Sequence, residues 1–214
     1  MQMSVLRGHL VSVDPMFYDA DLSKVDRANA AYEEMIQEET EKQFPIRNAH
    51  KNFLKEVVYL LYTHNRLAEA NQWFQRLREK YPDAIPGNKT VEEYSLEKVM
   101  GNLADPSHDR TKAILEGVIV KHYLYVALDD DAQAEGYDRM AQQIWSFYQQ
   151  RIQKRQQPLT FPPLAEMKRA ILEQLLGPQS RFNPELRARL RAKLNIALPA
   201  PTTTSTTNAP IAKP

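Results

Sequence analysis

The sequence predicts an all-α protein of about eight helices arranged as antiparallel helix pairs, and three observations lead to this fold class. Apolar residues recur every three or four positions through most of the 214 residues, the period of a helix that buries one face. The chain has only six glycines, whereas doubly wound α/β folds use glycine at their strand-to-helix turns. The one β-favouring run, Leu124–Val126, lies inside a longer helical pattern, so no strand is predicted.

Capping residues and helix-breaking residues define the ends of the first four predicted helices. The amphipathic segment 24–43 is expected to stop at Pro45, because proline cannot continue a helix interior. A strongly apolar helix should then begin at an Asn48 cap and lead through a short turn into the third helix. Thr90 with Glu93 three residues later is a capping box that starts the fourth helix. The predicted spans are approximately 24–43, 49–64, 67–81 and 90–103.

The last four helices are delimited in the same way. The fifth is apolar on most sides and is therefore expected to be central, and the acidic run Asp129–Asp131 separates it from the long sixth helix. Phe161–Pro163 is a rigid joint, and Gly177 ends the seventh helix. Asn183, followed by a proline, is the N-cap of the eighth. The predicted spans are approximately 109–128, 132–156, 164–176 and 184–194.

Composition divides the chain into four segments. We expect an N-terminal extension over 1–22, a helical core over 23–157 and basic C-terminal helices over 158–198. The Thr-, Pro- and Ala-rich segment 199–214 has the composition of a disordered tail. The N-terminus lacks the long apolar run of a signal peptide. Since nothing before Asp14 resembles the start of a domain, the chain is also consistent with a C-terminal piece of a longer protein.

The segment 54–82 has the pattern of a helical hairpin. Large apolar residues occupy the first helix, a small residue lies early in the second, an aromatic residue follows one turn on, and a proline comes after the end. These positions are held by Leu54, Val57, Leu61, Ala70, Phe74, Leu77 and Pro82. With the turn Asn65–Ala70, this pattern resembles a tetratricopeptide repeat, a unit of about 34 residues. Val58 and Leu77 depart from the small residues that are usual at their positions.

A blurred second copy of the hairpin lies 64 residues later, at about 114–150. Ala70 corresponds to Ala134 and Trp73 to Tyr137, with one helix left between the two copies. The resemblance implies a short array of stacked antiparallel helix pairs. The alternative left open by the sequence is an irregular α-helical bundle that contains one chance hairpin.

No sequence motif indicates a catalysed reaction, a cofactor or a bound metal. The absence of cysteine excludes thiolate sites and disulfides, and none of the five histidines belongs to a His-Glu-x-x-His pattern. No glycine-rich phosphate loop occurs. The group His108–Arg110 has acid and base side chains, but its simpler interpretation is a helix cap, and the run Glu33–Glu41 is that of a solvated helix face. We therefore expect a non-enzymatic protein without cofactors.

The tetratricopeptide resemblance implies binding of a protein or peptide partner. Since no window approaches the roughly 18 consecutive apolar residues of a membrane span, a cytoplasmic protein without such a span is the default expectation. Aromatic and basic side chains around the hairpins are the candidate contacts, namely Tyr62, Arg66 and Tyr125. The partner's identity and the oligomeric state are left open.

Charge supports an alternative function. From Arg139 onward the chain has 12 lysines and arginines against three acidic residues. In the last helix the basic side chains are Arg187, Arg189, Arg191 and Lys193. Such a surface is suited to nucleic-acid phosphates or an acidic protein, although it lacks the interleaved aromatic residues that grip single strands.

Overall fold

The computed structural model describes residues 5–6, 9–11, 17–38, 43–101, 107–155 and 161–197. The all-α prediction is confirmed, with eight α-helices in these residues. They are α1 Val25–Glu38, α2 Gln43–Thr63, α3 Leu67–Lys80, α4 Val91–Met100, α5 His108–Ala127, α6 Asp131–Arg155, α7 Leu164–Leu176 and α8 Pro184–Lys193. Short 3-10 turns span Leu22–Lys24 and Pro82–Ala84. The predicted disordered tail, 199–214, lies outside the described residues.

The N-terminal segment contains a feature that the sequence did not predict. Strand β1 (His9–Val11) pairs with strand β2 (Phe17–Asp19) in a small antiparallel ladder. Each strand has only three residues, too few for an alternating pattern to stand out. The pair is tied to the helices through Asp19, whose carboxylate accepts hydrogen bonds from the Tyr125 hydroxyl at 3.3 Å and the Gln133 amide at 2.8 Å.

Most helix ends follow the caps that the sequence predicts. Thr90 and Glu93 form the reciprocal capping box at the start of α4, and the Asn183 side chain accepts from the backbone of α8 at 2.8 Å. The start of α2 is a correction, because Pro45 lies in its first turn and Asn48 lies inside the helix. The first N–H groups of a helix have no intrahelical partner, so a proline there costs no hydrogen bond.

The two segments with the hairpin pattern form antiparallel helix pairs. In α2 and α3, His50 and Tyr81 meet at the open end, with the histidine Nδ1 2.9 Å from the tyrosine hydroxyl. In α5 and α6, His122 Nδ1 bonds the Ala134 carbonyl at 2.9 Å near the connecting turn. Buried side chains of both pairs belong to one continuous hydrophobic core.

The turns that connect the two pairs have the same backbone geometry at an offset of 64 residues. Asn65 and Asp129 both adopt the left-handed conformation, with φ of 61° and 64°. The next residue then donates its N–H to the carbonyl five positions back, at 2.9 Å in the first turn and 3.0 Å in the second. This is the six-to-one hydrogen bond of the Schellman motif. The donor and acceptor pairs are Arg66 with Leu61 and Asp130 with Tyr125.

The hairpins meet where α6 crosses the C-terminal end of α2. Gly136 lies so close to Thr63 that an added Cβ would stand 1.8 Å from the Thr63 carbonyl oxygen. One turn further along α6, Arg139 donates to the Tyr62 carbonyl at 3.0 Å and also to the Asn65 side chain. A cation is favourable there because the last carbonyls of a helix are unpaired and carry partial negative charge. Helix α4 packs between the hairpins, and α7 and α8 pack on α5.

Candidate interaction surface

Two of the predicted partner contacts, Tyr62 and Tyr125, lie in the core. Tyr62 has no exposed surface, and its hydroxyl accepts from the Gln143 amide at 2.5 Å. Tyr125 is 6% exposed and stacks in parallel on Tyr137, with ring centroids 5.4 Å apart. The prediction that these two side chains contact a partner does not fit their burial. Helical spacing identifies an apolar stripe, but the tyrosine hydroxyls at its edge are satisfied here by a neighbouring helix and by the N-terminal segment.

Arg66, the third hairpin candidate, lies at the surface of the α2–α3 turn. Its guanidinium makes a two-pronged contact with Glu69, at 2.7 and 2.5 Å, and 41% of its side chain is exposed. It therefore remains accessible to a partner, as a neutralised rather than an isolated charge.

The basic side chains of α8 are divided between structural and exposed roles. Arg187 donates to the Gly177 carbonyl at 2.9 Å, and Arg191 donates to the Leu176 carbonyl at 2.7 Å. Both therefore cap the C-terminal end of α7, whose last carbonyls attract cations. Buried Leu186 holds α8 against the core beside them.

The remaining two basic residues of α8 form ion pairs. Arg189 bonds Glu185 on its own helix at 2.6 Å. Lys193 contacts Asp129 and lies 3.6 Å from Asp131, at the α5–α6 turn. The hydrogen bond with Asp129 raises the pKa of Lys193 above its usual value. The predicted basic surface is thus partly neutralised by the protein itself.

A groove lies between the start of α5 and the exposed side of α7. Its volume is about 610 Å³, within the range of ligand sites in proteins. Apolar and charged side chains of both signs share its walls. The described lining residues are His108, Lys112, Glu116, Phe161, Pro162, Glu166, Met167, Arg169, Ala170 and Ile171. We call this the α5–α7 groove.

Stacked aromatic rings form the inner wall of the α5–α7 groove. Phe161 stacks on Tyr148 with centroids 4.1 Å apart and lies 5.0 Å from the His108 ring. His108 belongs to α5 and Tyr148 to α6, so these rings join two helices and the segment before α7. The sequence indicated Phe161–Pro163 only as a rigid joint. Its role as a wall depends on Phe161 packing against Tyr148 of α6, a contact that one-dimensional periodicity does not reveal.

A second groove, of about 500 Å³, runs along the outer face of α6 on the other side of Phe161. The lining that the structure describes is uncharged and consists of Trp145, Ser146, Gln149, Gln150, Gln153, Phe161 and Pro163. Trp145 donates its indole N–H to the Pro162 carbonyl at 2.9 Å, and Gln149 donates its amide to the Phe161 carbonyl at 3.0 Å. We call this the α6 groove.

His50 has a strongly lowered pKa, lies away from both grooves and has no exposed surface. Tyr32 stacks on the His50 ring, and the two ring nitrogens lie 2.9 Å from the Asn29 carbonyl oxygen and the Tyr81 hydroxyl. Burial lowers the pKa of His50 to about 4, helped by the nearby Lys80 charge. A ring so enclosed has no access to a substrate, so its role is to satisfy hydrogen bonds in the core.

Within the described ranges, no three metal-ligating side chains lie together. No helix there is both long and apolar enough to cross a membrane.

Comparison with known proteins gives no relative: no protein-family model, curated protein or solved structure matches the chain.

Proposed function

We propose that the chain is a non-enzymatic scaffold for protein binding, built from two tetratricopeptide-like helix pairs. The observation that carries the proposal is the recurrence of an antiparallel helix pair, α2–α3 and α5–α6, at the spacing of the sequence copies. The connecting turns, at Asn65 and Asp129, share one backbone conformation and one hydrogen-bond pattern. Repeated helix pairs suit a rigid support for binding surfaces. Following the expectation from the sequence, we place this scaffold in the cytoplasm.

The α5–α7 groove is the proposed docking site for a partner peptide. Its aromatic and aliphatic walls supply apolar contact, while Lys112, Glu166 and Arg169 supply charges of both signs at the rim. Such a lining suits an extended peptide that has an apolar anchor between polar residues. The groove lies beside the second helix pair, whose helix α5 forms one of its walls.

The experiment for this proposal starts from a displayed library of random peptides selected on the full chain. The affinity of a selected peptide is then measured for Ala170→Trp, which fills the exposed floor of the α5–α7 groove. Ala165→Trp is the matched control, because Ala165 is exposed on the same helix and is not part of the groove lining. We expect Ala170→Trp to weaken binding about tenfold, a loss of about 1.4 kcal/mol.

Two outcomes would contradict the proposed function. One is a selection that enriches no peptide. The other is a pair of tryptophan variants that bind the selected peptide as tightly as the parent chain does, which would place the peptide elsewhere.

Nucleic-acid or acidic-surface binding remains the second candidate, on the strength of the charge count after Arg139. The contacts of Arg187, Arg191 and Lys193 weigh against it, since each already binds a carbonyl or a carboxylate of the same chain. Filter binding of labelled RNA at two salt concentrations tests it. Affinity that falls steeply with salt favours this candidate, because phosphate contacts release counterions. No retention at low salt eliminates it.

A further inference from the structure

One wall of the α6 groove is the proline-containing strand Phe161–Pro163. Pro163 has φ −49° and ψ 136°, close to polyproline II. The two carbonyls before it accept the Trp145 and Gln149 donors of α6. This matches the chemistry by which aromatic grooves bind polyproline II segments, whose carbonyls have no partner within the segment itself.

The same face of α6 has room for a second strand beside the first. Gln150 and Gln153 are exposed there, one helical turn apart, and their amides can both donate and accept. The described lining consists of aromatic, proline, serine and glutamine side chains, which can pack against an uncharged strand and hydrogen-bond to it. The groove is thus suited to an uncharged strand rich in proline and small polar residues.

We propose that the α6 groove binds a second proline-rich extended strand, and that its occupant is segment 198–214 of this chain. That segment has four prolines among threonine, alanine and serine, and its one charged residue is Lys213. Its prolines and small polar side chains therefore match the rings and amides of the described lining. The inference concerns the α6 groove and does not require a peptide in the α5–α7 groove.

Distance permits this occupancy within one molecule. Helix α8 ends beside the α5–α6 turn, where Lys193 contacts Asp129 and Asp131. Trp145 lies 14 residues further along α6 than Asp131, or about 21 Å at the helical rise. A polyproline II strand rises about 3.1 Å per residue, so the segment covers that distance within about ten residues of Asn195.

Occupancy would make the segment a built-in competitor for the groove. A tether of this kind gives an effective concentration of about 1 mM, so even a millimolar affinity fills about half of the grooves. A partner with a proline-rich strand would then have to displace the segment.

The test uses a contact-quenched fluorophore in the full chain. Because the sequence contains no cysteine, Ser205→Cys accepts a single bimane label, which tryptophan quenches on contact. Removing the quencher with Trp145→Phe should raise bimane emission about twofold if half of the grooves are filled. Trp73→Phe is the matched control, because Trp73 is the other tryptophan and is buried on α3. That control should leave emission unchanged.

A second variant guards against structural damage from the loss of Trp145. Replacing Pro199, Pro201 and Pro210 with alanine leaves the helical body untouched and should also raise emission. Excess synthetic peptide of residues 198–214 should do the same in the parent chain. Equal emission from the parent chain and the Trp145→Phe variant would overturn the inference. Quenching that rises with protein concentration would also overturn it, since the strand would then come from another copy.

Discussion

Replacing Gly136 by alanine tests the contact at which the two hairpins meet. A Cβ added there would lie 1.8 Å from the Thr63 carbonyl oxygen and 2.6 Å from its carbon. Ordinary contacts begin at 3.4 Å, and backbone atoms cannot rotate away as a flexible side chain can. Helix α6 must therefore move off the end of α2, which also stretches the Arg139 hydrogen bond to the Tyr62 carbonyl.

The magnitude follows from two opposing effects. Alanine is intrinsically better than glycine inside a helix by about 0.8–1.0 kcal/mol, while overpacking a buried contact costs about 1–3 kcal/mol and occasionally more. Because the clash at Gly136 involves backbone, the larger cost applies, and the net loss is about 2 kcal/mol. For a chain of this size that lowers Tm by about 4–8 °C.

Gly117 supplies the matched control in the other helix of the same hairpin. It is exposed, and an added Cβ would meet nothing within 4 Å. Gly117→Ala should therefore stabilise the protein by about 0.8 kcal/mol through helix propensity alone. The measurement is thermal unfolding followed by circular dichroism for both variants. A Gly136→Ala protein that melts at or above the parent temperature would refute the close crossing of α6 and α2.

Three further predictions concern the core and the basic end. Ala70→Trp should destabilise the α2–α3 pair by about 1–3 kcal/mol through overpacking, because Ala70 is fully buried. Ala68→Trp, at an exposed position of the same helix, should not destabilise the pair. Urea unfolding measures the stability of both variants. The pKa of His50 is lower in the folded state (about 4) than in the unfolded chain (6.5), so the unfolded chain binds the proton first. Stability should then fall by about 3 kcal/mol as pH drops from 6.5 towards 4, and less in His50→Gln. Arg191→Gln should lower Tm more than Arg189→Gln, since Arg191, unlike Arg189, caps the end of α7.

Local signals explain why the helices could be predicted from the sequence. The capping residues Thr90 and Asn183 act within their own turns, so their hydrogen bonds were foreseeable from spacing alone. The prediction that Pro45 separates two helices was wrong, because a proline is compatible both with the end of one helix and with the first turn of the next. Only the register of the following helix distinguishes the two, and α2 begins two residues before that proline.

The candidate site depends on contacts between residues that are far apart in the sequence, so it could not be predicted. The net charge after Arg139 is a property of the sequence, but the neutralisation of Lys193 depends on the α5–α6 turn lying beside the end of α8. The α6 groove likewise needs Trp145 and Phe161, which are 16 residues apart and join across the segment between α6 and α7. Hydrophobic periodicity gives the buried face of each helix, not the neighbour that covers it.

The equivalence of the two hairpin turns can be tested by a comparison that removes side-chain effects. Asn65 and Asp129 bind different partners, Arg139 and Lys193, so single substitutions at these positions mix side-chain losses with backbone strain. Glycine and alanine both abolish the side-chain contacts, and the difference in stability between the two variants at one position isolates the cost of a Cβ in the left-handed conformation. That cost is about 1–2 kcal/mol in favour of glycine.

If the turns are equivalent, the glycine-over-alanine difference should be the same at both positions. Urea unfolding of Asn65→Gly, Asn65→Ala, Asp129→Gly and Asp129→Ala gives the two differences. At Gly117 the difference in stability should have the opposite sign, because alanine is the better residue inside a helix. A preference for alanine at either turn would mean that its left-handed residue is not maintained in solution. The repeated turn would then no longer support a scaffold of paired helices.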